Sequence, residues 1–520
     1  AIGASIFASN IGSEHLIGLA GAGASSGMAM AHWEIQGWMI LILGWVFVPF
    51  YSRSMVYTMP EFLERRYNPQ SRTILSVISL VSYVLTKVAV TVYAGGLVFQ
   101  QVFGIKELWG IDFFWIAAIG LVVLTALYTI FGGMKSVLYT SVLQTPILLL
   151  GSLIILILGF KELGGWDEMM RVCGAVTVND YGDTMTNLIR SNDDANFPWL
   201  GALIGSAIIG FWYWCTDQFI VQRVLSGKNE KEARRGTIFG AYLKLLPVFL
   251  FLIPGMIAFA LHQKYIGAGG EGFLPLLANG TANADAAFPT LVAKLLPAGV
   301  KGLVVCGILA ALMSSLASLF NSSAMLFTID FYKRFRPETP EKKLVGIGQV
   351  ATVVIVILGI LWIPIMRSVG DVLYTYLQDV QSVLAPGIAA AFLLGICWKR
   401  TSAQGGMWGL IAGMVIGLTR LGAKVYYSNA GEVADSTFKY LFYDMNWLFF
   451  CGWMFLFCIV VVIAVSMFTA APSAEKIQGL VFGTSTPEQK AATRASWNKW
   501  DIIHTLIILG ITAAFYWYFW

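Results

Sequence analysis

The stretch Ile2-Gly-Ala-Ser-Ile-Phe-Ala-Ser-Asn-Ile-Gly-Ser-Glu-His15 starts as an apolar helix. It then sets Asn10, Ser13, Glu14 and His15 around Gly12, with Gly18, Gly21 and Gly23 behind them. In a soluble protein this would be an ordinary helix end. Here it stands in a chain of 520 residues that is 57% hydrophobic and only 12% charged. Mean hydropathy is +0.72. Soluble domains are about 25% charged, and they could not cover so much apolar surface. The composition therefore excludes a soluble enzyme or a nucleic-acid binder and defines an all-α polytopic membrane protein. Backbone polar groups at membrane depth must be paired or line a cavity, so polar residues beside glycine predict an unwound first helix.

A second interruption follows the same logic. Gly201, Gly205 and Gly210 lead into Tyr213-Trp214-Cys215-Thr216-Asp217-Gln218. Thirteen apolar runs are long enough to span, among them 112–131, 134–162 and 288–330. The two interruptions fall in the first and sixth runs, an odd offset that gives their halves opposite orientation. The reading is a five-plus-five inverted repeat, 1–162 and 196–397, separated by a polar loop at 163–195. Three accessory helices occupy 398–520, with a polar linker at 471–499. Glycine alone would favour close helix packing; Asn10, Glu14 and His15 together favour the break.

Most of the 34 basic residues fall in one set of alternate connections, including Arg65, Arg66, Arg234, Arg235, Lys342 and Lys343. The excess of Lys and Arg marks the cytoplasmic side. Loops 163–195 and 263–287 and the C-terminus are then expected outside. Ala1 reads as already within a helix, so at least one upstream helix is expected before it. Six scattered cysteines give neither a disulfide framework nor a zinc spacing and read as small buried hydrophobes.

A charge at the bilayer centre costs about 2.5–3.5 kcal/mol on insertion scales, so each one needs a reason. Glu34 opens the second helix, Lys87 lies in the third, Lys244 is alone in the seventh, and Gln378 and Asp379 lie in the tenth. Glu accepts hydrogen bonds, Lys donates, and Asn, Gln and His do both. Tyr213 and Trp214 add flat faces with polar tips. That set suits a neutral polyol. The bland alternative is a Glu34–Lys87 structural pair. In Met313-Ser-Ser-Leu-Ala-Ser318, Ser314 and Ser315 offer hydroxyls to a small cation, although membrane serines commonly bond back to the preceding turn.

These motifs resemble the sodium/solute symporter family, in particular its sodium/sugar (glucose/galactose-type) cotransporters. The resemblance rests on 2–15, Tyr128-Thr-Ile-Phe-Gly-Gly-Met134, Trp212-Tyr-Trp-Cys-Thr-Asp-Gln218 with Val221-Gln-Arg223, Tyr242-Leu-Lys-Leu245 and 313–318, and extends to about residue 425. It implies a LeuT-like fold in a cell membrane, and transport by alternating access without enzymatic chemistry. It implies sugar contacts from Asn10, His15, Glu34, Tyr213, Trp214, Lys244 and Gln378. Tyr213 would also form an inner gate, and Leu19, Trp33 and Tyr374 an outer one. Na⁺ would bind the carbonyls of Ala8, Ile11 and Ala311 and the hydroxyls of Ser314 and Ser315. Gly37 replaces a serine that touches sugar in some members. Thr140-Ser141 stands where many members have Thr-Asp, an aspartate associated with a second sodium site, so one coupled Na⁺ is expected. Na⁺-coupled inositol or other solute symport, and a non-transporting sugar sensor, are the competing readings.

Overall fold

A computed structural model describes the chain except Ala1, Ser13, Met55, Tyr57, Ala278, Gly370, Asp371 and residues 430–433. Side chains are also outside the description at Ala8, Ser9, Tyr128, 130–145 and 367–369. The architecture is helical, with one short hairpin, Glu107–Leu108 against Ile111–Asp112. Among the described residues eleven helices are long and apolar enough to cross a membrane.

Both expected breaks are present. The first helix runs Ile2–Asn10 and resumes as the wide turn Glu14–Leu19, continuing through Ala20–Ser26. Ile11 still donates to the Phe7 carbonyl at 2.9 Å, but His15 and Leu16 both donate to that of Gly12. The second half thus begins on a new turn. The sixth helix runs Trp199–Gly210, widens at Phe211–Thr216 and restarts as Gln218–Leu225. Between them Asp217 is extended, and its carboxylate accepts from the Phe219 N–H at 3.2 Å. It caps the new helix as any N-cap aspartate does.

The glycines do different work from the breaks. A Cβ on Gly23 would strike the Leu252 carbonyl, and one on Gly255 the Ala20 carbonyl. First and seventh helices therefore approach backbone to backbone. Gly201 and Gly205 face Leu448, and Gly18 faces Tyr374. Gly12 sits at the first break, and Gly210 ends the first half of the sixth helix.

Three expectations change. The run 288–330 is two helices, Ala287–Leu295 and Ala298–Met325, because Pro297 cannot continue a helix and starts the next one. Conversely, 112–131 and 134–162 fall within one helical element, Phe113–Leu163, whose apolar stretches Phe113–Leu127 and Pro146–Leu163 stay distinct. Cys306 and Cys397 are exposed rather than buried, on helices whose outer faces are apolar.

The seventh helix is also interrupted. Glu230–Leu243 gives way to a turn at Lys244–Leu245 before Val248–Leu252. Pro247 has no N–H for the Leu243 carbonyl, which is the physical cause of the interruption. Lys244 therefore stands at a kink, where a long side chain can leave the helix toward a neighbour.

Candidate functional site: a buried polar cavity between the broken helices

The cavity is lined by Asn10 and His15 at the first break, Trp33 and Glu34 on the second helix, and Tyr213 and Trp214 on the sixth. Lys244 from the seventh helix and Tyr374 and Gln378 from the tenth complete it. All seven residues expected around a sugar thus share one space. Glu34 is its hub and is fully buried. Its Oε2 accepts from Lys244 Nζ at 2.6 Å, and its Oε1 from the Tyr374 hydroxyl at 2.5 Å. His15 Nε2 lies 3.4 Å from Oε2 and 3.2 Å from Asn10 Nδ2. Lys244 Nζ also sits 5.3 Å from the centroid of the Trp214 ring, a cation–π contact. Trp214 meets Tyr213 edge to face at 5.0 Å.

The lining is mixed, with polar groups and aromatic rings facing one space. The polar groups here satisfy one another. Exceptions are His15 Nδ1, Trp33 Nε1 and Gln378 Oε1, which are buried without a hydrogen-bond partner. Unmade bonds of this kind are costly, and they point at a ligand able to donate and accept.

The expected gate residues Leu19, Trp33 and Tyr374 are all buried. Trp33 stacks on Trp447 at 5.5 Å, which the sequence did not indicate. Among the sodium candidates, Ile11 and Ala311 are buried. The Ser315 hydroxyl lies 3.0 Å from where a Cβ on Gly12 would stand, so the eighth helix meets the first at its break. Ala8 lies in the first helix, but its side chain is outside the described residues, as is that of Ser141.

Two readings are corrected. Glu34 pairs with Lys244, not with Lys87; Lys87 lies 3.7 Å from Asp217 instead. Gly37 does not face the cavity. Its Cβ would stand 2.9 Å from the Ala241 carbonyl and 3.4 Å from Ile508 Cγ2, so a serine there would meet the seventh helix. Glu14, Gln36, Thr86, Lys87 and Gln381 also line the space and were not assigned to it. Gln36 was legible as a polar residue two positions from Glu34, and Glu14 as a charge beside the break.

Broken helices around a buried polar cavity define a class: helical secondary transporters that move solute by alternating access. The chain belongs to the sodium:solute symporter family, whose sequence profile matches residues 1–413. It is 37% identical over 496 residues to the sodium/myo-inositol cotransporter 2 of Homo sapiens, covering 93% of this chain and 72% of that one. It is 39% identical over 486 residues to the sodium/glucose cotransporter 1 of Ovis aries, covering 90% and 72%. A solved structure of a Na⁺-coupled sialic acid symporter in a substrate-bound, outward-open state shares the fold. Its TM-score is 0.67 at 22% identity, covering 91% of this chain and 90% of the other. This protein is a multi-pass, sodium-coupled solute symporter and not an enzyme. Its fold is the LeuT-like five-plus-five inverted repeat, with discontinuous first and sixth helices and three further C-terminal helices.

Proposed function

We propose that the solute is a neutral sugar, bound by Asn10, His15, Glu34, Lys244 and Gln378 with the Tyr213 and Trp214 rings as walls. The observation that carries this is the Glu34 hub. A carboxylate that already accepts from an ammonium and a phenol can exchange those donors for ring hydroxyls without losing hydrogen bonds. An anionic solute would meet Glu34 as a like charge. A cyclic polyol of the inositol kind is the second reading, favoured by the relatives named for it. Na⁺ in this reading binds carbonyls of Ala8, Ile11 and Ala311 with Ser314 and Ser315, joining the first helix to the eighth. Sugar and Na⁺ then raise each other's affinity by linkage. Tyr213 closes the inner side, and Leu19, Trp33 and Tyr374 the outer. The repeats span 1–162 and 196–397, the C-terminus is extracellular, and one Na⁺ accompanies each sugar.

The test is uptake into proteoliposomes of labelled glucose, galactose and myo-inositol, with Na⁺ and with K⁺ in its place. Na⁺-dependent hexose uptake is expected. Preference for myo-inositol establishes the second reading, and binding without uptake would mean a sensor. Reversal potentials at fixed gradients give the ion ratio; two Na⁺ per sugar would overturn the value expected from Ser141.

A further inference from the structure

We propose that the groove between the third helix, Pro69–Phe103, and the ninth, Glu341–Val369, binds one anionic glycerophospholipid. An acyl chain lies along the groove, and the phosphate sits between Arg334 and Lys343. The walls include Leu80 and Val84 of the third helix, Val350 and Val354 of the ninth, and Phe327 from the end of the eighth. Among the described lining residues Lys343 has the single polar side chain. On the ninth helix the stripe runs from Lys343 through Gly346, Val350 and Val354 to Leu358. A rise of about 1.5 Å per residue makes it about 22 Å long. That reaches from the headgroup level to the middle of a hydrocarbon core about 30 Å thick. The deep end is shut: a Cβ on Gly359 would stand 2.3 Å from Val88 Cγ1, so the third and ninth helices touch there. At Gly346 a Cβ would meet nothing within 4 Å. A groove that is blind at mid-membrane and open at a basic end fits one acyl chain. A helix from another protein would need the groove to continue past Val88.

Charge complements that occupant. Residues 333–343 carry Lys333, Arg334, Arg336, Lys342 and Lys343 against Glu338 and Glu341. Arg334 donates to the Pro69 carbonyl at 2.5 Å and to the Thr73 hydroxyl, which sets its guanidinium on the third-helix side of the mouth. Lys343 stands on the ninth-helix side. Arg72, the residue before Thr73, holds Glu64 and Asp330 at 2.7 and 2.5 Å, so those carboxylates serve it. Lys342 and Lys343 lie in the first turn of the ninth helix, where the macrodipole opposes a cation. A bound phosphate relieves both lysines. A topological signal requires basic residues only in the connection between helices; it does not require one on the groove itself. In the orientation expected from the basic residues, this mouth opens on the cytoplasmic leaflet, whose surface is negatively charged.

The experiment titrates the purified full chain in detergent with dioleoyl phosphatidylglycerol and with dioleoyl phosphatidylcholine, counting bound lipid by native mass spectrometry. Phosphatidylglycerol is expected to bind at least tenfold more tightly. Arg334→Gln combined with Lys343→Gln should remove that preference, by about fivefold for each cation, and leave phosphatidylcholine unchanged. Gly346→Trp keeps both cations and fills the groove, and should weaken both lipids at least tenfold. Equal affinity of the wild type for the two lipids overturns the anionic headgroup. Wild-type phosphatidylglycerol affinity in the double variant overturns Arg334 and Lys343 as its partners, and wild-type affinity in G346W overturns the groove as the seat of the chain. Competition by glycerol 3-phosphate as strong as that by the lipid would mean a site for a free phosphate, and overturns the proposal too. Should the double variant not fold, G346W and the comparison of the two lipids decide it.

Discussion

Two buried ion pairs stand close together in this molecule and are built differently. The Lys244–Glu34 pair is short, at 2.6 Å, and both carboxylate oxygens are occupied, one by the Tyr374 hydroxyl. It faces the cavity. The Lys87–Asp217 pair is longer, at 3.7 Å. Asp217 accepts from the Tyr83 hydroxyl and the Phe219 N–H through Oδ1, while Oδ2 has no hydrogen-bond partner. Lys87 is wrapped in rings, 3.8 Å from the Phe219 centroid and 4.8 Å from that of Tyr213. The difference is one of exchangeability. Hydroxyls of a ligand can take over the bonds of Glu34, so that pair can open in a transport cycle. Asp217 is tied to its own backbone at the sixth-helix break, so that pair holds the break in place.

The largest effect should come from Lys244→Ala. Removing one partner of a buried pair strands the other charge at a cost of about 3–5 kcal/mol. Melting temperature should fall, and uptake should drop more than a hundredfold. A double variant, E34Q with K244M, removes both charges and should recover the melting temperature but not uptake. Recovery of both would make the pair structural only.

Asp217→Asn comes next. Asparagine caps as well as aspartate, so the backbone bond survives and Lys87 alone loses its counter-charge. Melting temperature should fall by several degrees, with sugar affinity changing less than threefold in an equilibrium binding assay. A loss of affinity like that of K244A would show the two pairs to be one site. Ser315→Ala tests the far side of the same region: the Na⁺ concentration for half-maximal uptake should rise several-fold, with sugar binding at saturating Na⁺ unchanged. An unaltered Na⁺ dependence would leave this serine as packing. The smallest effect is expected from Gly37→Ser. Its side chain would face the Ala241 carbonyl and Ile508, so sugar affinity should stay within twofold; a tighter complex would mean that it reaches the cavity.

The broken helices were legible in advance because polar residues in an apolar run are expensive wherever the run folds. Asn10, His15, Glu34, Lys244 and Gln378 stood out for the same reason, and the structure brings them into one space. Helix ends were less legible. Pro297 splits one long apolar run, and Pro247 kinks another at Lys244, in segments whose hydropathy alone shows no boundary.

By itself the sequence determined the solvent of this protein, the two discontinuous helices and the set of polar residues that needed partners. Those follow from local composition, since the cost of a charge or an open carbonyl in hydrocarbon does not depend on which helix lies alongside. Only the tertiary structure decided the pairing. Lys244 rather than Lys87 reaches Glu34, Lys87 goes to Asp217, and Glu14 lies with Ser315 against Gly12. Partner choice depends on which faces of distant helices meet and where a proline turns a side chain aside, and spacing along the chain carries neither.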